Sequence, residues 1–209
     1  MKKKFVISLA IGFCLLFIVS ISHAAIFDIR SGQLFGAAGV DVDGVFYDVA
    51  FRDGTAIELY GGADENTDFP FTNLSNLNDN SLAITANQAL LDQVFVDSPL
   101  GAFDSAPNLT NGCLSTGGCY VFTPMLVNAN GGLGCVGVRN NKQGYGDVIF
   151  AGGSVNHRTF DTSPREPVPE DDHLVFAVWS EATAVPIPGA VWLLGSGLVG
   201  LIGLRRKKQ

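Results

Sequence analysis

Two apolar runs without a charged residue, one near each end of the chain, limit what can fold into a water-soluble body. Phe5–Ile21 is the first and Gly189–Leu204 the second. A helix apolar on every side has no polar face to offer water, so such runs belong in lipid rather than on a domain surface. What remains, 25–184, has the length of one ordinary domain. Charge follows the same division. Seven of the 13 Lys and Arg lie outside the middle, as Lys2, Lys3 and Lys4 and as Arg205, Arg206, Lys207 and Lys208, while all 20 Asp and Glu lie inside it. Only six basic residues (Arg30, Arg52, Arg139, Lys142, Arg158 and Arg165) offset those 20 acids, which leaves the middle at −14. A body this acidic repels phosphate backbones and anionic headgroups. Nucleic acid is excluded as a partner; divalent cations or cationic polymers suit the surface better.

The first run has the layout of an export signal. Lys2–Lys4 supply the positive start, the apolar stretch follows, and the small residues Ser22 and Ala24 precede a cut before Ala25. Segment 1–24 is therefore expected to be removed by signal peptidase. Cys14 does not fit a lipid attachment site, because Phe13 precedes it and the apolar run continues past it. Export to an oxidising compartment bears on the three remaining cysteines. In "CLSTGGC" two glycines let the chain fold back between Cys113 and Cys119, and a disulfide is expected there, with Cys135 buried or free. Pairing through Cys135 is the alternative, since spacing alone does not fix connectivity. No metal site is expected: the spacing is not Cys-x-x-Cys and no His is close in sequence.

The middle is rich in Gly, Asn and Asp between short apolar stretches, the texture of strands joined by turns. In "GVDVDGVFYDVAF", Val40 and Val42 alternate with Asp41 and Asp43, and Asp43-Gly44 suits a two-residue hairpin turn. Val45, Tyr47, Val49 and Phe51 then share a face of the returning strand, and Thr55–Tyr60 continues the pattern. One helix is predicted near 81–96, with Asn80 or Ser81 as N-cap, Leu82, Ala86, Ala89, Leu90 and Val94 on one face, and Pro99 beyond its end. Strands resume in "CYVFTPMLVN", "GCVGV", "DVIFAGGSV" and "HLVFAVW". The last is apolar on both faces, so it is an inner strand. Pro124 moves its own segment toward an edge or a bulge. The fold class is mainly β (α+β): an antiparallel β domain with one packed helix, flanked by an N-terminal signal helix and a C-terminal transmembrane helix.

Catalytic signatures are absent from the sequence. Ser154 lies near His157, but no Gly-x-Ser-x-Gly surrounds it, and His173 reads as a surface residue. Asp41, Asp43 and Asp48 share part of a calcium-loop pattern without its spacing or distal Glu, and Asp64, Glu65 and Asp68 form a second acidic turn. Asp171 and Asp172 solubilise the start of a strand. The triplets at Asn73 and Asn108 match glycosylation sequons, as chance allows in an Asn-rich chain. No cofactor is expected.

The second apolar run holds 16 uncharged residues from Gly189 to Leu204. As a helix they span about 24 Å, against about 30 Å of hydrocarbon. Pro186 and Pro188 keep the preceding backbone extended, Trp192 lies near the outer interface, and Arg205–Lys208 place the C-terminus in the cytoplasm. Ser196 and Gly200 lie on a small-residue face suited to close helix packing. This order resembles the PEP-CTERM sorting signal handled by exosortase. Val185, Pro186, Ile187 and Pro188, followed by Gly189, match the variant written Val-Pro-Leu-Pro-Ala rather than the Pro-Glu-Pro form. In the middle, "GVDVDG" with "YDV" and "QALLDQVF" resemble stretches found in some proteins with such tails. The resemblance implies a Gram-negative exporter that makes exopolysaccharide. It also implies that this chain is a substrate of exosortase, held at the inner membrane by 185–209 until it is cut. The domain is then expected at the cell surface or outside the cell, with a structural or adhesive part in a biofilm matrix and no enzymatic activity. The alternatives are a secreted enzyme or calcium-dependent module acting on matrix polysaccharide, and a plain single-pass anchored periplasmic protein.

Overall fold

The computed structural model describes residues 24–60, 68–127, 132–156, 162 and 174–182, with backbone alone for 151–156. Its strands are β1 (Ile26–Arg30), β2 (Gln33–Val42), β3 (Val45–Arg52), β4 (Asp97–Ser98), β5 (Gly101–Ala102), β6 (Gly118–Val127), β7 (Gly132–Asn141), β8 (Val148–Asn156) and β9 (Leu174–Glu181). Its helices are α1 (Ala56–Tyr60) and α2 (Ser81–Gln93), with a 3-10 turn at Pro107–Leu109. Seven strands form one sheet in the order β1-β2-β3-β9-β6-β7-β8, while β4 and β5 pair separately. Two local antiparallel meanders, β1–β3 and β6–β8, are thus joined by the strand that comes last.

The β2–β3 hairpin forms as its sequence predicts. Asp43 and Gly44 take φ of 54° and 84°, the left-handed pair that a two-residue turn between twisted strands requires. Asp41 Oδ1 accepts the Gly44 N–H at 2.7 Å and closes the turn. Val49 and Phe51 are buried, whereas Val45 at the tip is exposed.

Thr55–Tyr60 departs from the predicted strand. Thr55 begins α1: its N–H and hydroxyl both donate to Glu58 Oε2, at 3.0 and 2.9 Å, and its Oγ1 accepts the Glu58 N–H at 3.4 Å. This reciprocal cap outweighs a six-residue alternation. In α2 the predicted face holds at Ala86, Ala89, Leu90 and Val94 and fails at Leu82, whose place is taken by Ala83. Ala83, Ala86, Ala89 and Leu90 are buried, and Leu82 is exposed. Asn80 occupies the N-cap position without a side-chain bond, and Asp79 Oδ1 accepts the Ser81 N–H at 3.0 Å instead.

The three alanines let α2 lie close to the sheet. It touches β2 on one flank and β6, β7 and β8 on the other, so the sheet curls around it. Gln93 fastens its last turn to β2, accepting the Asp41 N–H at 2.9 Å and donating to the Asp41 carbonyl at 2.8 Å. The opposite face of the sheet holds a smaller cluster of Ala56, Phe69, Leu133, Cys135 and Phe176, covered in part by α1. β9 serves both clusters, with Val175, Ala177 and Trp179 toward α2 and Phe176 and Val178 away from it.

One further expectation changes, and one is met in part. The β6–β9 pairing is parallel, so the sheet is not wholly antiparallel, and it lasts only from Tyr120 to Phe122 against Leu174 to Phe176. Pro124 lies in an inner strand rather than at an edge, while the bulge expected as the alternative is present as a register shift between Pro124 and Leu126. It is tolerated because the pairing with β9 has already ended at Phe122. Where β6 and β9 part, Phe71 packs on Trp179 with ring centroids 5.2 Å apart, and the Thr72 hydroxyl donates to the Met125 carbonyl.

A buried polar relay holds this junction. Trp179 Nε1–H donates to Thr123 Oγ1 at 3.1 Å, and that hydroxyl donates to Asn87 Oδ1 at 3.5 Å. Asn87 Nδ2 donates to the Ala83 carbonyl at 2.8 Å and to Val136 O at 3.4 Å. Asn87→Ala would leave the Thr123 hydroxyl without its acceptor in a site closed to water. We expect a loss of about 1–3 kcal/mol, read as a lower denaturant midpoint with unchanged slope.

Candidate functional site

The residues predicted to carry the tail's function, Val185, Pro186, Ile187 and Pro188 with Arg205, Arg206, Lys207 and Lys208, lie outside the described residues, as does all of the signal segment 1–24 except Ala24. No helix among the described residues is long and apolar enough to cross a membrane. The structure does describe where the chain leaves the body. β9 runs to Glu181, which lies opposite Tyr47, and the Ala182 N–H donates to the Phe46 carbonyl at 3.0 Å. Ala182 is thus bonded beside the start of β3, close to the hairpin tip. Ile26, the first residue of β1, lies opposite Ala38 toward the same end of the sheet.

The acidic residues of the hairpin do not converge on one point. Asp48 Oδ1 accepts the Gly39 N–H at 2.9 Å, inside the register shift between Ala37 and Val40, and Asp41 closes the turn. Each carboxylate satisfies a backbone group that an irregular strand leaves over. Among the described residues, no three His, Cys, Asp or Glu side chains are placed to hold a metal ion together. Asp64, Glu65, His157, Asp171, Asp172 and His173 lie outside the description, and Ser154 is described by its backbone in β8.

One acidic group was not singled out by the sequence. Asp97 Oδ1 accepts the N–H groups of Asp104 and Ser105, at 3.1 and 3.0 Å. The bonds from Ser105 lead in holding the Asp97 carboxyl below its ordinary range. Asp104 moves the other way, raised by desolvation first and then by Asp147 and Asp97. Asp147 Oδ1 accepts the Asn141 N–H at 2.7 Å. The three acids come from β4, the loop after β5 and the turn before β8, so only the fold brings them together. Asn73 is spent on its own loop: Oδ1 accepts the Ser75 and Asn76 N–H groups, and Nδ2 donates to Asp79.

Cys113 and Cys119 are joined in a disulfide with their Cα atoms 5.7 Å apart. Both are fully buried, so the bond ties the segment before β6 into the core against α2. Cys135 is free and buried in the smaller cluster on the other face. Burial pushes its thiol up to about 12. Tyr60 lies in the same region, its hydroxyl donating to the Ala177 carbonyl at 2.7 Å, and burial raises it well above its ordinary value.

No family model, curated protein or solved structure matches the chain.

The burial of Cys135 sets its reactivity, since the thiolate is the nucleophile. The chain from Ala25 onward, which lacks Cys14, should resist iodoacetamide at pH 8 when folded, and one thiol should react once it is unfolded without reductant; mass spectrometry of the alkylated chain reads both. The same shift has a sign for stability. The folded thiol is harder to ionise than the unfolded one, so its contribution is full below about pH 9 and lost as pH rises toward 12.

Proposed function

We propose that this chain is exported and sorted to the cell surface or extracellular matrix, with 185–209 as a signal cut by exosortase and 25–184 as the structural or adhesive part. The observation that carries the reading is the order of the tail: Val185-Pro186-Ile187-Pro188, the uncharged run to Leu204, then Arg205–Lys208. A short apolar helix with a cytoplasmic basic end holds the chain at the inner membrane, and an extended proline segment just outside gives a peptidase backbone to grip. The position of Ala182 supports it. Three residues, 183–185, separate the last described hydrogen bond of the body from Pro186, so a cut beyond them would leave β9 whole.

The use of the carboxylates supports a structural rather than a catalytic role for the domain. Asp41, Asp48, Asp97 and Asp147 each hold backbone N–H groups. Acid–base chemistry on sugars asks instead for two carboxyls facing one bond with contrasting proton affinities. In the matrix the excess of negative charge favours contact through divalent cations or with cationic polymers.

Replacing Pro186 and Pro188 with Ala would let helix extend outward without reducing hydrophobicity. In a strain carrying exosortase, the unaltered chain should lose Trp192 and the basic end and leave the inner membrane. The double variant should stay full length there. Immunoblots of membrane and medium fractions separate the cases: if both versions stay full length and membrane-bound, the tail is a plain anchor.

A further inference from the structure

The geometry points to one end of the sheet, the end carrying the β2–β3 hairpin tip, as a surface that rests on the zwitterionic lipid headgroups of the membrane while the tail is uncut. The inference rests on the proposed reading of 185–209 as a membrane segment, and the fold adds the direction. Ala182 donates to the Phe46 carbonyl, so β9 ends level with the start of β3 and points toward the hairpin tip. Asp41 is level with Phe46, so Asp43 and Gly44 lie beyond that level by two residues, at most about 7 Å at strand spacing. The tip therefore projects in the direction in which the chain departs. The tether is short. Seven residues lead from Ala182 to Gly189, at most about 24 Å when fully extended. The body is held within reach of the headgroups, and this end reaches them first.

The side chains at this end suit that position. Val45 is 49% exposed and Phe46 38%, both beside the exit. Apolar side chains at the boundary between headgroups and acyl chains give weak, additive binding, and a tether makes weak contacts count because the local concentration is high. Asp41 and Asp43 flank the tip, which selects the lipid: carboxylates are attracted to the cationic choline and ethanolamine groups of zwitterionic headgroups and are repelled by anionic ones. The opposite end of the sheet carries the turn at Lys142–Asp147, with Tyr145 exposed.

The test uses the full-length chain with its tail intact, taken from cells lacking exosortase. It is reconstituted into phosphatidylcholine–phosphatidylethanolamine vesicles that carry nitroxide on some headgroups. A fluorophore is attached at Val45→Cys or, in a second variant, at Tyr145→Cys, and the unaltered chain sets the background labelling. The Val45 position should be quenched severalfold more than the Tyr145 position, and added phosphatidylglycerol should narrow the difference. Equal quenching of the two positions, in chains that float with the vesicles, overturns this inference and leaves the membrane tail standing. Chains that do not float overturn both. Quenching at Val45 that matches Tyr145 until exosortase is added, with shielding of Val45 only then, assigns the surface to the enzyme and overturns the lipid assignment.

Discussion

The indole N–H of Trp179 reaches Thr123 and, through that hydroxyl, Asn87, and along this relay two separately built halves of the domain are joined. Each half is a local antiparallel meander with hairpin-range contacts. Between them lies β9, paired in parallel with β6 over three residue pairs and antiparallel with β3 over six. So short a parallel junction supplies few ladder bonds. Side chains supply the rest: Phe71 between Tyr47 and Trp179, the Thr72 hydroxyl on the Met125 carbonyl, and Asn87 bridging from α2 to β7. A fully satisfied buried network of this kind costs little and fixes one arrangement, whereas a half-satisfied one would leave the junction strained.

The order of the chain gives that junction a consequence. The central strand is made last, so neither meander can complete the sheet until β9 has arrived. Forming it closes a loop from β3 to β9 that spans most of the domain, which makes it the slow contact. On the proposed reading, the residues that complete the fold are also the ones next to the membrane segment. The folded body then stands directly over its own anchor, and its orientation is inherited from strand direction. A domain ending in a peripheral strand would have no such fixed bearing.

The acidic residues show how charge is divided between structure and surface. Asp41 closes a turn, Asp48 fills a register shift, Asp97 organises the loop after β5 and Asp147 the turn after β7. These positions give the backbone its shape through local acceptor geometry. Their remaining negative field faces solvent, with Arg30–Asp28 the ion pair seen among the described residues. The disulfide and the free thiol divide similarly by face, Cys113–Cys119 on the side of α2 and Cys135 on the other.

By itself the sequence determined the features that depend on near neighbours along the chain. Asp43-Gly44 demanded a tight turn, the two-faced run Leu174–Trp179 demanded an inner strand, and apolar residues at helical spacing demanded a helix ahead of Pro99. Where a capping pair competed with alternation, at Thr55 and Glu58, the pattern of six residues was too short to reveal the outcome. The buried face of α2 was legible at Ala86, Ala89, Leu90 and Val94 and was missed in its first turn, because Leu82 and Ala83 both fit a helical stripe and packing against a concave sheet favours the smaller side chain. Tertiary structure alone decided that β9 enters between β3 and β6, that its pairing with β6 is parallel, and that Asp97, Asp104 and Asp147 meet. It also decided that the chain departs beside the hairpin tip. Each of these joins residues many positions apart, and which distant partners meet is set by the total burial and hydrogen bonding of the assembled sheet, a quantity no local stretch contains.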